Sequence, residues 1–309
     1  MGKTFNKHVL LIGNDRTEND TSDYYGSYTS FFEKSFKRAA LSASIDWTLL
    51  QDLYIEVGDG IILIVDTKTG KELSHFDTII IRGMGFRSLF DVLKTVSVYG
   101  QEHNINVIND YSAFRDSSKL TQAVQFYEAG LPVAKTVYVN RVVLEGNHTL
   151  GVTFPCIMKA VFGSHGNDNH VVHSLADVRT ISSQSSARFV LQRLVPNNGD
   201  YRILVVGSDV RCIERVAATG SHLNNTSQGG SARLITHDKL PIGMVDGARK
   251  IMERLDMSIA GVDALTDNET GDYFFLEVNS QPQLMTGAYT EEKEQLVGEY
   301  FTKLFSESE

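Results

Sequence analysis

The chain has 309 residues, enough for two or three domains, and a formal net charge of −9. This acidic balance argues against general nucleic-acid binding as the main activity, although it leaves room for a local basic pocket. Hydrophobic residues make up 42% of the chain, which suffices to build a core. Cys156 and Cys212 each lie in an apolar run, so we expect buried free thiols rather than a disulfide.

The N-terminal residues and the longest apolar runs bear on the compartment. The apolar part of the N-terminus is too short for a signal peptide, and no apolar run approaches the roughly 18 residues of a membrane span. We therefore expect an intracellular, cytoplasmic protein without a membrane partner.

The first third of the sequence alternates strands with helices, which is typical of an open sheet flanked by helices. Arg82 follows a strongly apolar strand of this part. Since ligands favour the carboxyl ends of such strands, Arg82 is a candidate for binding a substrate carboxylate; a solvated loop arginine is the alternative. The predicted strands are 8–13, 45–50, 78–81 and 105–108, the helices are 29–43 and 86–99, and a hairpin is predicted at 66–71.

The remainder of the chain divides into a small mixed unit and a part made mostly of strands. A helix over 116–129, closed by Gly130 and Pro132, begins the mixed unit. We predict domains at 1–112, 113–188 and 189–309. The strands predicted in the last part are 189–195, 202–206, 210–217, 259–265 and 273–278, and its helices are 244–255 and 291–305.

Two carboxylates and an amide near the C-terminus are typical of a metal site. Glu277 and Asn279 are two residues apart and share one face of a strand, and a turn-rich segment before them predicts a hairpin. A turn centred near Glu269 would place Asp263 opposite Phe275, one diagonal step from Glu277. Oxygen ligands without His or Cys suit Mg²⁺. The alternative is a surface hairpin with solvated acids.

Two lysines and a glycine-containing loop indicate a phosphate site. Lys119 lies in the first turns of a helix, and Lys159 ends an apolar strand, where an ammonium must be paired or face a cleft. The small and turn-forming residues of 163–169 would let backbone N–H groups wrap an anion. A plain hairpin is the alternative, and no Walker motif occurs.

Three later segments could complete a nucleotide site. The extended segment Gln192–Leu194 can offer backbone groups to an adenine edge, and Asp200 lies close enough in sequence to reach a ribose or a lysine. Glu214 and Arg215 point to opposite faces of a strand. We assign Arg215 to the site, as a fixed cation for developing negative charge, with a surface salt bridge as the alternative.

Taken in order, these segments resemble the ATP-grasp superfamily, and within it the RimK-like carboxylate–amine ligases. The resemblance covers about Asn109 to Leu284 closely, and the N-terminal sheet looks like the pre-ATP-grasp domain of the family. It implies an α/β (α+β) protein in three parts, which are an N-terminal open sheet, a lid subdomain and a C-terminal, mostly antiparallel sheet. ATP would lie between the last two parts.

The resemblance also implies a role for each matching residue. Lys119 and Lys159 would bind phosphates, and Gln192, Arg193 and Leu194 would meet adenine. The implied catalytic set is Arg215, Lys159 and Arg202. Further nucleotide contacts would come from Gly163, Ser164, His165, Gly166, Asp200 and Asn225. The implied metal ligands are Asp263, Glu277 and Asn279, holding two Mg²⁺ ions, with Mn²⁺ as the alternative metal.

The implied activity is an ADP-forming ligation. A carboxylate attacks the γ-phosphate of ATP to give an acyl phosphate, and an amine then forms the amide, which would add an amino acid to a peptide or protein. A small-molecule ligase of the glutathione-synthetase or amino-acid-carrier type is one alternative, and a non-catalytic ATP-binding protein is another. Family members are often dimers or tetramers, so a homo-oligomer is expected by analogy.

Substrate recognition is expected at residues outside the nucleotide site. Where RimK-like enzymes often carry a histidine and an arginine before Gly229, this chain has Ser227 and Gln228. Two contacts to an acidic substrate are therefore missing, which argues against glutamate as the added amino acid. The candidate substrate residues are Arg82, His222, Gln228 and Gln283.

Overall fold

The computed structural model describes residues 6–13, 21–82, 89–111, 118–146, 150–162, 169–216 and 231–307. In these ranges no helix combines the length and apolarity that a membrane crossing requires. The chain builds an N-terminal sheet with a small accessory sheet, a middle sheet and a C-terminal sheet. Cys156 and Cys212 are free and buried, as predicted.

The N-terminal sheet is parallel and carries helices on its connections. Its first helix begins at Thr21 and ends at Arg38, earlier than the predicted 29–43, because Ala43 already begins the next strand. In spatial order the strands are β2 (Ala43–Leu49), β1 (Lys7–Gly13), β6 (Thr78–Ile81) and β7 (Asn106–Ile108); the helices are α1 (Thr21–Arg38) and α2 (Phe90–Glu102).

An accessory antiparallel sheet extends from this domain, and the sequence predicted only part of it. The pairing around the predicted 66–71 hairpin is present, but a longer hairpin precedes it and was missed. Its strands are β3 (Leu53–Gly58), β4 (Ile61–Asp66) and β5 (Lys71–Glu72).

The middle sheet, called the lid sheet below, extends beyond the predicted boundary at residue 188. The strand Phe189–Arg193 pairs with two strands of this sheet, so the predicted boundary is wrong and the change of sheet follows Arg193. In spatial order the strands are β10 (Asn169–Val172), β9 (Cys156–Ala160), β11 (Phe189–Arg193) and β8 (Thr136–Val139); the helices are α4 (Arg141–Glu145) and α5 (Leu175–Ser183).

The C-terminal sheet has five antiparallel strands and two differently covered faces. One face packs on the helix that ends at Leu255 and on Phe126, and the other packs on α1 and the last helix. The strands in spatial order are β14 (Ser231–Ile235), β13 (Asp209–Val216), β12 (Asp200–Val206), β15 (Ile259–Thr266) and β16 (Tyr273–Asn279); the helices are α3 (Lys119–Glu128), α6 (Met244–Leu255) and α7 (Thr290–Glu307).

A continuous aromatic core joins the N-terminal and C-terminal sheets. Phe32 and Phe36 of α1 meet Phe301 of α7 edge to face, an arrangement that aromatic pairs favour. Leu204 and Val206 of β12 belong to the same buried cluster. Since strand residues alternate between faces, Asp200 and Arg202 lie on this same face of β12, beyond the end of the core.

Candidate active site

The register of four adjacent strands puts six predicted residues on one face of the C-terminal sheet. Arg215 lies opposite Asp200, and two residues along β12 Arg202 lies opposite Asp263. The row continues onto β16, where Asp263 pairs with Glu277 and the next residue on that face is Asn279. Side chains of one face stand next to each other, so the sheet assembles the candidate metal ligands and arginines.

The predicted register of the metal-site hairpin was wrong by two residues. Asp263 pairs directly with Glu277 and not with Phe275, which pairs with Ala264. A β-bulge between Asp263 and Ala264 leaves Leu276 as an extra residue in β16 and accounts for one residue of the shift. The other residue comes from the turn, because Ala264 pairs with Phe275 and the predicted turn would have paired it with Phe274. The bulge therefore brings the two carboxylates closer together than the diagonal arrangement that was predicted.

Two aspartates and two arginines form a charge-balanced group, which we call the arginine–aspartate cluster (Asp200, Arg202, Arg215 and Asp263). Arg202 donates two hydrogen bonds to Asp263, one from Nε to Oδ1 and one from Nη2 to Oδ2. Arg215 donates to Asp200 at 2.6 Å and contacts Asp263 at 3.1 Å. Charge-assisted and bidentate pairs of this kind fix side-chain geometry.

The two aspartates of this cluster differ in their pKa. Burial acts to raise the pKa of Asp263, but Arg202 and Arg215 together hold it below its ordinary value. Burial raises the pKa of Asp200 above its ordinary value, and Arg215, its main cation, offsets only part of that effect. The nearby negative charge of Asp263 adds to the increase. Asp263 is therefore the more firmly ionised carboxylate of the two.

Glycines make room for this cluster at two points. A Cβ at Gly261 would lie 2.8 Å from Cδ of Arg202, so the absence of a side chain there leaves room for Arg202 to lie over β15 beside Asp263. A Cβ at Gly199 would collide with the carbonyl oxygen of Arg215. Both glycines are therefore explained by close approach rather than by backbone conformation.

A second group of charges, the lysine–glutamate cluster (Lys119, Lys159 and Glu277), has more cations than acids. Lys119 Nζ lies 3.4 Å from Glu277, whose side chain is 37% exposed. Lys159 donates to Gln192 Oε1 at 2.6 Å. Burial lowers the pKa of Lys159; Glu277 opposes this, and the charge of Lys119 lowers the pKa further. The position of Lys159 close to charged groups excludes a solvated surface lysine.

The predicted adenine segment is engaged with its surroundings through its side chains. Gln192 donates to Thr136 Oγ1 and accepts from Lys159, which links two strands of the lid sheet. Arg193 pairs with the fully buried Asp267 in the turn between β15 and β16. Because the polar side chains of Gln192 and Arg193 are already hydrogen-bonded or paired, hydrogen bonds from these two residues to a base would use backbone groups.

Gln122 is a residue of the site that sequence reasoning missed. Its side-chain amide donates to the carbonyl of Val278 and accepts from the N–H of Val278, so it pairs with the strand as another strand would. Val278 lies between Glu277 and Asn279, and the clamp therefore fixes the backbone that carries both. A buried glutamine on the inner face of α3 was the only available signal.

Asn109 is a second residue that was missed, and it joins the N-terminal sheet to the site. It donates to the carbonyls of Ile259 and Ser280 and accepts from the N–H groups of Ser258 and Ile259. Its φ of 57° is in the left-handed region, which asparagine tolerates better than most residues. Ser280 directly follows Asn279, so this amide holds the exit of the metal-ligand strand.

The predicted substrate residues have separate outcomes. Arg82 is only 4% exposed and donates to the Tyr28 hydroxyl and the Pro282 carbonyl, which rules out the solvated-loop alternative. Gln283 is exposed in the segment after Asn279. The other predicted contacts lie outside the described residues; they are Gly163, Ser164, His165, Gly166, His222, Asn225 and Gln228.

Comparison with known families decides the assignment. Residues 135–295 match the family described as the RimK-like ATP-grasp domain, which is about half of the chain. The chain belongs to the RimK-like ATP-grasp family. This range contains every described residue of the two clusters except Lys119, together with the candidate metal ligands.

Individual relatives of this RimK-like chain include ligases of different substrates. Tetrahydromethanopterin:alpha-L-glutamate ligase of Methanosarcina acetivorans is 29% identical over 185 residues, which are 52% of this chain and 55% of that protein. The chain thus spans about half the length of that curated relative. The name of that relative refers to glutamate.

Solved structures confirm the ATP-grasp fold. The ATP-grasp ligase PsnB, complexed with a phosphomimetic variant of its minimal precursor, Mg and ADP, superposes with a TM-score of 0.65 at 16% identity, covering 97% of this chain and 99% of that one. VanG D-Ala:D-Ser ligase from Enterococcus faecalis also gives 0.65, at 15% identity, covering 97% and 100%. The predicted three-part ATP-grasp fold is confirmed.

The family uses ATP and Mg²⁺, and the donor set of this chain fits the metal. Asp263 and Glu277 supply carboxylates from paired positions, and Asn279 supplies an amide oxygen from the same face. Asn279 Oδ1 accepts the N–H of Gln281, which orients it and leaves a second lone pair. Within the described ranges no three His, Cys, Asp or Glu residues cluster as metal ligands. An oxygen-only set of two acids and one amide suits Mg²⁺.

Proposed function

We propose that this protein is an ATP- and Mg²⁺-dependent ligase that joins a carboxylate to an amine through an acyl phosphate, releasing ADP. The observation that supports it best is the convergence of Lys119 and Lys159 on Glu277, beside Asp263 and Asn279. Excess positive charge next to oxygen ligands is the environment that a metal-bound triphosphate needs. Degenerate relatives without catalysis would have no reason to retain paired acids in such a place.

Lys119 and Lys159 would bind the phosphates from the lid side. Lys159 approaches from β9 of the lid sheet, while Lys119 approaches from the start of α3. Burial already destabilises the ammonium of Lys159, so a phosphate oxygen would be its natural partner. The undescribed 163–168 segment follows β9, and we assign it the phosphate contacts predicted from its sequence.

Asp263, Glu277 and Asn279 would hold Mg²⁺, in two ions by family analogy, with Mn²⁺ as a substitute. A bound Mg²⁺ would supply positive charge that offsets the negative charge of the transferred phosphoryl group. Gln122 and Asn109 keep the backbone of β16 in place for these ligands. Preorganised ligands need no rearrangement at the moment of reaction.

Arg215 and Arg202 would provide fixed positive charge near the reacting carbonyl. Both are held by Asp263, and Arg215 is held further by Asp200. Negative charge develops on the transferred phosphoryl group and then on the tetrahedral carbonyl oxygen, and a cation that is already oriented stabilises it. Exclusion of water by the lid would protect the acyl phosphate from hydrolysis.

The test is ADP release from Mg·ATP across a panel of carboxylates and amines that includes amino acids, peptides and a protein acceptor. We expect release that requires one carboxylate–amine pair and stops when EDTA removes Mg²⁺. The variant Glu277→Gln should lower the rate at least about 100-fold. Loss of a residue that only orients a metal ligand typically costs about 10- to 100-fold, and loss of a ligand itself should cost at least as much. Glu214→Gln, which alters a carboxylate of β13 that pairs with the exposed Arg233, is the matched control.

Two outcomes would contradict the proposal. Tight Mg·ATP binding without turnover for any pair would favour a non-catalytic ATP-binding protein. A Glu277→Gln rate equal to that of Glu214→Gln would remove Glu277 from the metal site. A product formed only with free small molecules would instead select the small-molecule ligase alternative over peptide modification.

The compartment and the assembly are part of the same proposal. We assign the protein to the cytoplasm, where ATP is available and where free buried thiols such as Cys156 and Cys212 persist. We also extend to it the homo-oligomer that is common in the family. Light scattering of the purified chain, with and without Mg·ATP, measures the oligomeric state directly.

A further inference from the structure

The hairpin formed by β3 and β4 carries large apolar side chains in solvent. Tyr54 is 49%, Val57 68%, Ile61 52% and Ile62 42% exposed. Alternation along the strands puts Tyr54 and Ile61 on one face of the hairpin, and Val57 and Ile62 on the other. Nearer its base the hairpin is anchored, because Ile64 is buried in the core of the N-terminal domain. A cluster of exposed apolar residues on a soluble domain typically marks an interaction surface.

The turn makes this hairpin a rigid support for such a surface. Gly58 pairs with Ile61, so the loop between the strands consists of Asp59 and Gly60 alone. Their φ angles are 48° and 82°, and positive φ at both positions is what a type I′ turn requires. The twist of that turn matches the twist of the two strands, so the edge of β3 is already formed before any partner binds.

The outer edge of β3 has backbone groups that the accessory sheet does not use. The N–H of Thr67 donates to the carbonyl of Asp52 at 3.0 Å, and this bond fixes which residues of the ladder face each other through hydrogen bonds. By alternation, Ile55 and Val57 direct their N–H and C=O groups away from β4. Among the described residues no strand pairs with β3 on that side. Four backbone groups are therefore available for an added strand.

The charge at this edge is negative. Glu56 lies between Ile55 and Val57 and is exposed, and its carboxylate accepts a hydrogen bond from the Tyr54 hydroxyl at 2.7 Å. Asp59 adds a second exposed acid at the tip. The segment 53–65 contains no lysine, arginine or histidine. The edge consequently has no cation of its own to compensate Glu56.

This charge argues against a second copy of the chain as the occupant. An antiparallel pair of two β3 edges that uses all four backbone groups would join Ile55 of each copy to Val57 of the other, with the two Glu56 side chains directly opposite. Like charges at directly opposite positions are destabilising. A register centred on Ile55 would need the N–H of Leu53, which already donates to the carbonyl of Leu50.

We propose that the outer edge of β3 binds an extended, basic segment of a peptide or protein partner, which adds as an antiparallel strand and places a lysine or arginine opposite Glu56. Main-chain hydrogen bonds to Ile55 and Val57 supply affinity, and alternate side chains supply selectivity. Apolar neighbours of the cation would cover Tyr54 on one face and Val57 on the other. The inference goes beyond the ligase activity, because none of these residues belongs to the nucleotide site.

The test is peptide binding, measured by fluorescence anisotropy without nucleotide. The probe is a short, labelled peptide with blocked termini that alternates threonine and valine around one central lysine. We expect it to bind roughly 10-fold more tightly than the same peptide with a central glutamate, because opposite charges across a strand pair attract and like charges repel. The lysine peptide with N-methyl groups beside the lysine keeps its charge but cannot pair, so it should bind at least about 10-fold more weakly.

Three variants locate the binding on one edge of the hairpin. Glu56→Lys should reverse the preference, so that the glutamate peptide binds more tightly. Val57→Pro removes an N–H that points away from β4, which an edge strand tolerates, and should weaken the lysine peptide about 10-fold. Ile62→Pro is the matched control: Ile62 pairs with Val57, so its N–H points to the opposite edge, and binding should stay unchanged. Thermal unfolding midpoints check that each variant is folded.

The outcomes either support the edge or overturn it. Equal binding of the lysine and glutamate peptides, undiminished binding of the N-methylated peptide, or no binding at all would overturn the proposal. An unchanged preference in Glu56→Lys would do the same. A dimer of the free chain that dissociates in Val57→Pro would assign the edge to a second copy, which also overturns it. Since no nucleotide is present, these results are independent of whether ADP release is found.

Discussion

The two charge clusters of the site differ in balance. The arginine–aspartate cluster has equal numbers of acids and arginines, and its side chains bind one another on a single sheet. The lysine–glutamate cluster has two lysines for one half-exposed acid, and its members come from the lid sheet, α3 and β16. In the first cluster each arginine is paired with an aspartate of the same sheet, whereas the second brings two lysines from different elements to one glutamate.

This difference in charge balance indicates that the two clusters have different roles. A balanced buried cluster on adjacent strands fixes side-chain positions, since each charge is compensated by the protein. A cluster that joins the lid sheet, α3 and the C-terminal sheet would be stabilised by a phosphate that binds its lysines. Mutations in the first cluster should therefore cost more unfolding free energy than mutations of the two lysines, which should act mainly on nucleotide binding.

The largest effect on stability is expected for Asp263→Asn. It leaves Arg202 and Arg215 without their shared carboxylate, and breaking a buried pair from one side costs about 3–5 kcal/mol of unfolding free energy. Denaturant unfolding measures it. Glu214→Gln breaks an exposed pair between β13 and β14 of the same sheet and should cost less than about 1 kcal/mol. Similar losses in both variants would contradict a structural role for the balanced cluster.

The opposite pattern is expected for Lys159→Met. Burial penalises the ammonium of Lys159, so an apolar side chain of similar length should leave unfolding free energy unchanged or raise it. Mg·ATP affinity should fall roughly 10- to 100-fold, because a charge-assisted hydrogen bond is lost. Lys135→Met, at an exposed lysine preceding β8, is the control for charge alone. A destabilised variant with normal ATP affinity would contradict the role of Lys159 in nucleotide binding.

The sequence predicted on which face of the sheet the site residues lie wherever the two-residue periodicity of a strand determines it. The alternation rule correctly put Arg215 and Glu214 on opposite faces: Arg215 contacts Asp263, and Glu214 meets Arg233. The two-residue spacing of Glu277 and Asn279 correctly predicted that both side chains lie on the same face of β16. The register with Asp263 was wrong because a bulge has no sequence signature comparable to that of a turn.

Contacts between distant segments were not predictable. Gln122 binds the backbone of a residue 156 positions away, and Asn109 reaches one 171 positions away. In the sequence such amides cannot be told from ordinary polar residues. Their partners are backbone groups, which every residue has, so no partner side chain marks the contact. The boundary after β11 failed for a similar reason, since strand pairing and not composition decides which sheet receives 189–193.

Gln122→Leu tests whether the backbone clamp supports the metal ligands. It leaves the N–H and the carbonyl of Val278 without partners, which should cost about 2–4 kcal/mol of unfolding free energy. Mg²⁺ affinity should fall about 10- to 100-fold, as for other residues that orient ligands. Gln125→Leu on the same helix removes a buried oxygen that has no hydrogen-bond partner, so it should be neutral or stabilising.

The smallest effect concerns pH and the balance of charge around Lys293. Burial, followed by the charge of Arg202 on β12, lowers the pKa of Lys293 to about 8, and Glu292 on the same helix only partly opposes this.

The lowered pKa gives a stability effect of defined sign. The folded pKa of Lys293 lies below its ordinary value of 10.5, so the unfolded chain binds more protons between about pH 8 and 10.5. Lys293 therefore contributes a rise in unfolding free energy with pH across this window, and Lys293→Met should show less of that rise. Denaturant unfolding of both proteins at pH 8 and at pH 10 measures the difference. Equal rises in the two proteins would mean that Lys293 does not titrate in this window.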